Sequence, residues 1–277
     1  MGATTAHAAD ASVAPVRHAA PEVFLISRPA IDWSGLDRYL TAVGAPEWSS
    51  KAKAEQVPDG QRLVEIMGRL CYRSWAPGLN PNVTRVRTSH EGYMENLLAS
   101  GHGSVLEHAN YSFIFKDVSR VFTHELVRHR AGTAVSQESL RYVRLEDIPF
   151  EHPAYVLENP EILEAAERLL AQMESFQELS ARLTGIDQEG VPFHTKKAVT
   201  SAARRYAPEG VATSLGWTVN IRALRHVVAL RTDPSAEEEI RTVFDSVARL
   251  MIEELPGLMG DFERQADGSW LPRYRKV

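Results

Sequence analysis

One cysteine, Cys71, stands in the whole chain, so no intrachain disulfide can form and no zinc site can be built from several thiolates. Long apolar runs are missing as well, and with them any stretch able to span a bilayer as a helix. Basic charge is not in excess: 31 Lys and Arg against 36 Asp and Glu leave a net charge of −5. A broad electrostatic hold on nucleic acid is therefore not expected, and any phosphate site must be a local arrangement. The chain lacks a GxxxxGK[ST] loop, a GxGxxG turn after a strand and a GxSxG elbow. Cys71, in CYRSW, has only Arg73 near it to lower its thiol pKa. No covalent catalyst stands out, and a lone thiol suits a reducing cytoplasm.

What is present is a soluble-type composition, 44% apolar and 24% charged, long enough for one large domain. Residues 1–22 are rich in Ala, Thr and Ser, carry Asp10 and hold no continuous apolar core. They do not read as a secretory signal; a disordered tail is expected, with an organellar address as the alternative. EVFLISRP reads as a strand stopped by Pro29, and NYSFIFKDV alternates as a strand with Tyr111, Phe113 and Phe115 on one face. Helical spacing marks Asp59 to Tyr72, HEGYMENLLASG, and PEILEAAERLLAQMESFQELSARLTG from Pro160 to Gly185. Ser119 precedes VFTHELVRHR as an N-cap precedes a helix, which is expected to end near Arg130. HTKKAVTSAARRYAP reads as a helix, and VATSLGWTVNIRALRHVVALR turns helical near Asn220. Ser235 and Glu238 have capping-box spacing. No repeat or long linker divides the chain. The expected class is α+β, a mixed sheet packed with long helices, in a single domain over 23–277.

Three stretches carry candidate chemistry. RHRAGTAVSQESLRY, Arg128 to Tyr142, gathers three arginines, a histidine and several hydroxyls. On a helix Arg128 and Arg130 point about 200° apart. At a helix end that unwinds they can converge on one anion, and the planar Arg fork suits phosphate oxygens. In GHGSVLEH, His102, Glu107 and His108 invite a metal reading, but their spacing fits no standard zinc signature. Gly101 and Gly103 flank His102 and suggest close backbone approach to a flat or charged group. In NIRALRHVVALR, Asn220 and Arg231 lie close to three helical turns apart, while Arg222, Arg225 and His226 form a second stripe. Arg231 needs an acceptor if it faces inward, or else it complements the helix dipole. Many donors without a nucleophile suit a site that leaves the hard chemistry to a cofactor.

The order of these blocks resembles the flavin-dependent thymidylate synthases. Arg128-His129-Arg130, Ser139 and Arg141-Tyr142 are similar to that family's RHR, serine and RY element. HGSVLEH and RRYAPEGVATSLGWTVNIRALRHVVALR resemble its upstream and downstream blocks, so the likeness runs from roughly Ser74 to Leu255. The resemblance implies an enzyme making dTMP from dUMP, with methylenetetrahydrofolate as one-carbon donor and NADPH reducing FAD. It implies a homotetramer with active sites between subunits, and no enzyme nucleophile. By the same likeness Ser74, His102, Ser104, Glu107, Arg128, His129, Arg130, Asn220, Arg222 and His226 face FAD. Arg120, Glu125, Ser139, Arg141, Arg204 and Arg231 meet dUMP, with Ser139 and Arg141 on its phosphate. Arg231 carries the clearest chemical role, stabilising negative charge on the uracil ring. No metal and no nucleic acid is implied.

There are departures. Eight residues separate Arg130 from Ser139 where the family has seven, and the extra one is expected to be absorbed in AGTAV, at Gly132. Ser235 and Ser201 stand where the family has a histidine and a carboxylate, so contacts there are unassigned. The competing readings are a metal-dependent phosphohydrolase using His102, Glu107 and His108, a non-catalytic nucleotide or RNA binder, and a flavin- and nucleotide-binding relative with altered activity.

Overall fold

In the computed structural model, which describes residues 18–139 and 149–277, alternating strands and periodic helices form where the residue pattern puts them. In chain order these are β1 (Glu22–Ser27), α1 (Trp33–Ala42), α2 (Glu47–Ala54), α3 (Asp59–Tyr72) and α4 (His90–Ala99). There follow β2 (Asn110–Ser119), α5 (Arg120–Leu126), β3 (Thr133–Gln137), α6 (Ala154–Leu157), α7 (Pro160–Thr184) and α8 (Phe193–Ala203). The last are β4 (Ala212–Asn220), α9 (Ile221–Arg231), α10 (Glu238–Glu254), α11 (Pro256–Met259), β5 (Phe262–Arg264) and β6 (Trp270–Pro272). Two units separate by packing. The described part of one is residues 18–19 and 149–208; the other is 20–139 and 209–277.

The larger unit is built on a four-stranded sheet of order β1-β2-β4-β3. The class is α+β as expected, and every pairing in this sheet is antiparallel rather than mixed. Alternation sends Phe113 and Phe115 of β2 and Leu215 and Trp217 of β4 to one face, where all are buried. Phe122 of α5 and Phe244 of α10 close over them: Phe115 lies 5.2 Å from Phe122 and Trp217 lies 5.7 Å from Phe244 between ring centroids. Each such ring contributes roughly 1.5–3 kcal/mol by leaving water. The other face is polar at Ser112 and Thr218, whose hydroxyls meet at 2.9 Å. Ser119 caps α5 as expected, its hydroxyl accepting from Phe122 N–H at 3.0 Å.

In the smaller unit α7 runs from Pro160 to a left-handed Gly185 at its C-terminal cap. Ala19 is buried and its N–H donates to the Phe150 carbonyl at 2.8 Å. Most of the expected tail lies outside the described residues.

Two local expectations need correction. Helix α5 stops at Leu126, a full turn before Arg130, because the chain turns toward the sheet edge to form β3. The cap of α10 is Glu237, whose carboxylate accepts from Glu239 and Ile240 N–H; Ser235 instead hydrogen-bonds Asp233. Ser235 and Asp233 satisfy each other locally, which leaves the nearer acid to cap the helix.

Candidate functional site

The early end of α5 leaves Arg128, His129 and Arg130 in a turn rather than on a helix. The His129 N–H donates to the Leu126 carbonyl at 3.0 Å, and Thr133 Oγ1 donates to the His129 carbonyl at 2.6 Å. Gly132 then takes φ 69°, the left-handed region, where a side chain is strained. A Cβ there would also lie 2.2 Å from Asn220 Nδ2. Asn220 is the junction between β4 and α9. Its N–H donates to the Gly132 carbonyl at 3.0 Å, while its Oδ1 accepts from Ala223 N–H at 2.8 Å. Asn220 thus caps α9 instead of sharing a helix face with Arg231.

Between this turn and the first turns of α9 lies a cleft of about 650 Å³. Seven of the expected cofactor residues line it: Glu107, Arg128, His129, Arg130, Asn220, Arg222 and His226. Three of these are arginines and one is a carboxylate, which Arg222 holds at 2.6 Å. That pair is half exposed and worth little on its own, so an anionic ligand can take over its guanidinium. The donor set fits a phosphate-bearing cofactor, and Gly132 lets the backbone come close.

Behind the cleft wall Arg231 ends α9. Its Nε donates to His129 Nε2 at 2.7 Å, its Nη1 to Glu125 Oε2 at 2.5 Å and its Nη2 to the Glu125 carbonyl at 3.1 Å. Of the two alternatives the sequence left for Arg231, the structure takes the inward-facing one, with acceptors supplied by His129 and Glu125. Burial pushes the His129 imidazole down to about 4, with Arg231 and His226 adding to the effect and Glu125 opposing it. His129 is therefore neutral near pH 7, with Nε2 as acceptor and the proton on Nδ1. The rings of His129 and His226 meet edge to face at 6.3 Å. Sequence reasoning named Glu125, His129 and Arg231 and missed that Arg231 bonds both of the others; no local pattern reports a contact between residues 129 and 231.

Other expected residues fall elsewhere. Ser74 follows α3, where its carbonyl accepts from Arg69 Nη1 at 2.8 Å; it does not line the cleft. His102 precedes a 3-10 turn, Gly103–His108, and packs edge-on against Tyr72 at 5.6 Å, and Ser104 is exposed on that turn; neither lines the cleft. The close approach expected at the glycine pair is made by the chain itself: a Cβ on Gly103 would sit 3.0 Å from Arg222 Nε. Arg120 opens α5, with its N–H donating to the Glu209 carbonyl at 2.9 Å. Ser139 is half-buried just after β3, and Arg141 lies outside the described residues. Arg204 belongs to the other unit, exposed on a 3-10 turn, Arg204–Tyr206.

The expected stripe of Arg222, Arg225 and His226 divides. Arg222 and His226 face the cleft, whereas Arg225 is buried and bonds Asp261 at 2.6 and 2.9 Å. A step of about 100° per residue puts Arg225 round the helix from His226, on the core side. Val277 also lines the cleft, brought there by tertiary packing that leaves no local trace in the sequence. Among the described residues no group of three or more His, Cys, Asp or Glu could hold a metal ion, so His102, Glu107 and His108 do not form one. Nor is any described helix long and apolar enough to cross a membrane.

Fold and cleft together define an α+β protein with a cationic site suited to a phosphate-bearing ligand. The family model for thymidylate synthase complementing protein, Thy1, matches residues 54–257. A flavin-dependent thymidylate synthase of Mycolicibacterium vanbaalenii is 36% identical over 219 residues, 78% of this chain and 83% of the relative. One from Mycobacterium avium is 36% identical over 227 residues, 80% of this chain and 86% of the relative. The fold is similar to a crystal structure of the UMP/dUMP methylase PolB from Streptomyces cacaoi bound with 5-Br dUMP. The TM-score is 0.54 at 19% identity, covering 88% of this chain and 94% of that one. The chain belongs to the flavin-dependent thymidylate synthases, a family of enzymes.

Proposed function

We propose that this protein converts dUMP to dTMP, with FAD as cofactor, methylenetetrahydrofolate as one-carbon donor and NADPH as reductant. One observation carries the reading: the RHR turn, Asn220, Arg222 and His226 converge on one cleft, and Arg231 is bonded into its wall. The name shared by the relatives, flavin-dependent thymidylate synthase, supports both the flavin and the product.

In this reading Arg128, His129, Arg130, Asn220, Arg222, His226 and Glu107 hold FAD. Ser74, His102 and Ser104 are assigned to FAD, and Arg120, Ser139, Arg141 and Arg204 to dUMP, on the family resemblance alone. FAD, reduced by NADPH, supplies the hydride. The chain's own part is electrostatic. Of the five N–H donors on Arg231, three are spent, among the described residues, on Glu125 and His129. The two left serve the pyrimidine oxygens, where they stabilise developing negative charge and make C5 a better nucleophile. No serine or cysteine has to attack the ring; Ser139 acts as a phosphate donor. Residues 23–277 work as one catalytic domain, in a cytoplasmic homotetramer whose active sites form between subunits.

The test is an anaerobic visible spectrum of the purified protein, followed after NADPH with and without dUMP. Flavin bands that bleach, then recover on adding methylenetetrahydrofolate as dTMP forms, are the expected result. Reduction without dTMP would mean a relative with altered activity. A protein that takes up no FAD would overturn the reading.

A further inference from the structure

Arg231 and His129 belong to different halves of the site just proposed. His129 lines the cleft assigned to FAD, while Arg231 does not line it and is assigned to the nucleotide. Yet they share a hydrogen bond of 2.7 Å, and that bond uses the only Nε–H the arginine has. Among the described residues, every other anchor of the guanidinium comes from Glu125, through its carboxylate and its carbonyl. With side chains 14% and 32% exposed, Arg231 and Glu125 are screened from water on most sides. Among the described residues two set the guanidinium plane, and one of them looks into the cofactor cleft.

We infer that His129 is a positioning residue for Arg231, through which the occupant of the cleft and the nucleotide assist each other's binding. This rests on the function proposed above. A ligand filling the cleft packs against the His129 and His226 rings and restricts the imidazole. A restricted imidazole fixes the direction of the Arg231 Nε–H, so the two remaining guanidinium donors lose less freedom when a pyrimidine arrives. Linkage makes the effect mutual: the factor by which FAD tightens dUMP equals the factor by which dUMP tightens FAD. Glu125 carries no such coupling, since it does not line the cleft.

The experiment titrates the full chain with FAD, read by flavin fluorescence, in the absence and presence of saturating dUMP. The quantity of interest is the ratio of the two dissociation constants. In the unsubstituted protein the expected ratio is about fivefold or more. In His129→Phe, which keeps a flat ring but has no acceptor, it should collapse toward one. In His129→Gln, whose amide oxygen can replace Nε2, it should largely return. Arg231→Lys, which keeps a cation but loses the Nε–H, should behave as His129→Phe does, and it decides the matter if the phenylalanine variant does not fold. A ratio in His129→Phe and Arg231→Lys equal to that of the unsubstituted protein would show that direct contact between the ligands does the coupling, and would sink the inference. A ratio near one in the unsubstituted protein, with both ligands binding, would sink it too. Failure of the unsubstituted protein to bind FAD or dUMP would instead remove the proposed function.

Discussion

At Arg231 three anchors, at 2.5, 2.7 and 3.1 Å, hold one guanidinium. Replacing it with alanine should leave FAD uptake in the absence of dUMP little changed and lower dTMP turnover about 10²–10³-fold, the loss typical of a preorganised charge-stabilising donor. Steady-state rates with flavin content measured in the same sample check this, and normal turnover would remove Arg231 from the chemistry. His129 gives a second test. Its folded pKa of about 4 lies below the ordinary 6.5, first through burial and then through Arg231 and His226. Between those values the unfolded chain binds a proton that the folded one refuses, so stability falls as pH falls from about 6.5 toward 4. Imidazole NMR should show a midpoint near 4, and His129→Gln should flatten the slope of melting temperature with pH just below 6.5. A midpoint near 6.5 would contradict the assignment of Nε2 as acceptor.

Gly132 is where the turn, β3 and α9 meet. Gly132→Ala places a Cβ against Asn220 and a side chain at φ 69°, so it should cost about 1–3 kcal/mol and weaken FAD uptake. Urea unfolding with parallel flavin titration measures both; full stability would show that the turn relaxes freely. This junction also marks how far the sequence could be read. β2 was legible because its alternation is strict, and α7 because Pro160 and Gly185 bracket a long periodic run. The cluster at residues 128–130 was legible as a group because arginine density is a local property. The early stop of α5 was not, since it depends on β3 pairing with β4 across a long stretch of chain. Glu237 outbid Ser235 as a cap through a local hydrogen bond that capping-box spacing does not weigh. Arg225 and Arg222 look alike in sequence, and only the core decides which one is buried.

Across the larger unit, Arg225 ties distant parts of the chain together. It bonds Asp261, donates to the Tyr274 carbonyl at 3.2 Å, and Asp261 accepts from Tyr274 N–H at 3.1 Å. The segment so anchored leads to Val277 in the cleft wall. Arg225→Leu leaves a buried carboxylate unpaired and should cost about 3–5 kcal/mol. Faster amide exchange at Tyr274 and weaker FAD binding should accompany the loss; unchanged exchange would mean another contact holds the segment. The sheet has one more property. β3 and β4 are neighbours in it, yet residues 138–211 run between them, so closing that edge means closing a very long loop. β1 and β2, with residues 28–109 between them, make the same demand, and pairings this distant in sequence form after the local contacts of the helices. During synthesis the arginine turn emerges well before the strand it must grip. A newborn chain therefore passes through a stage in which the arginine turn exists but the cleft it will line does not.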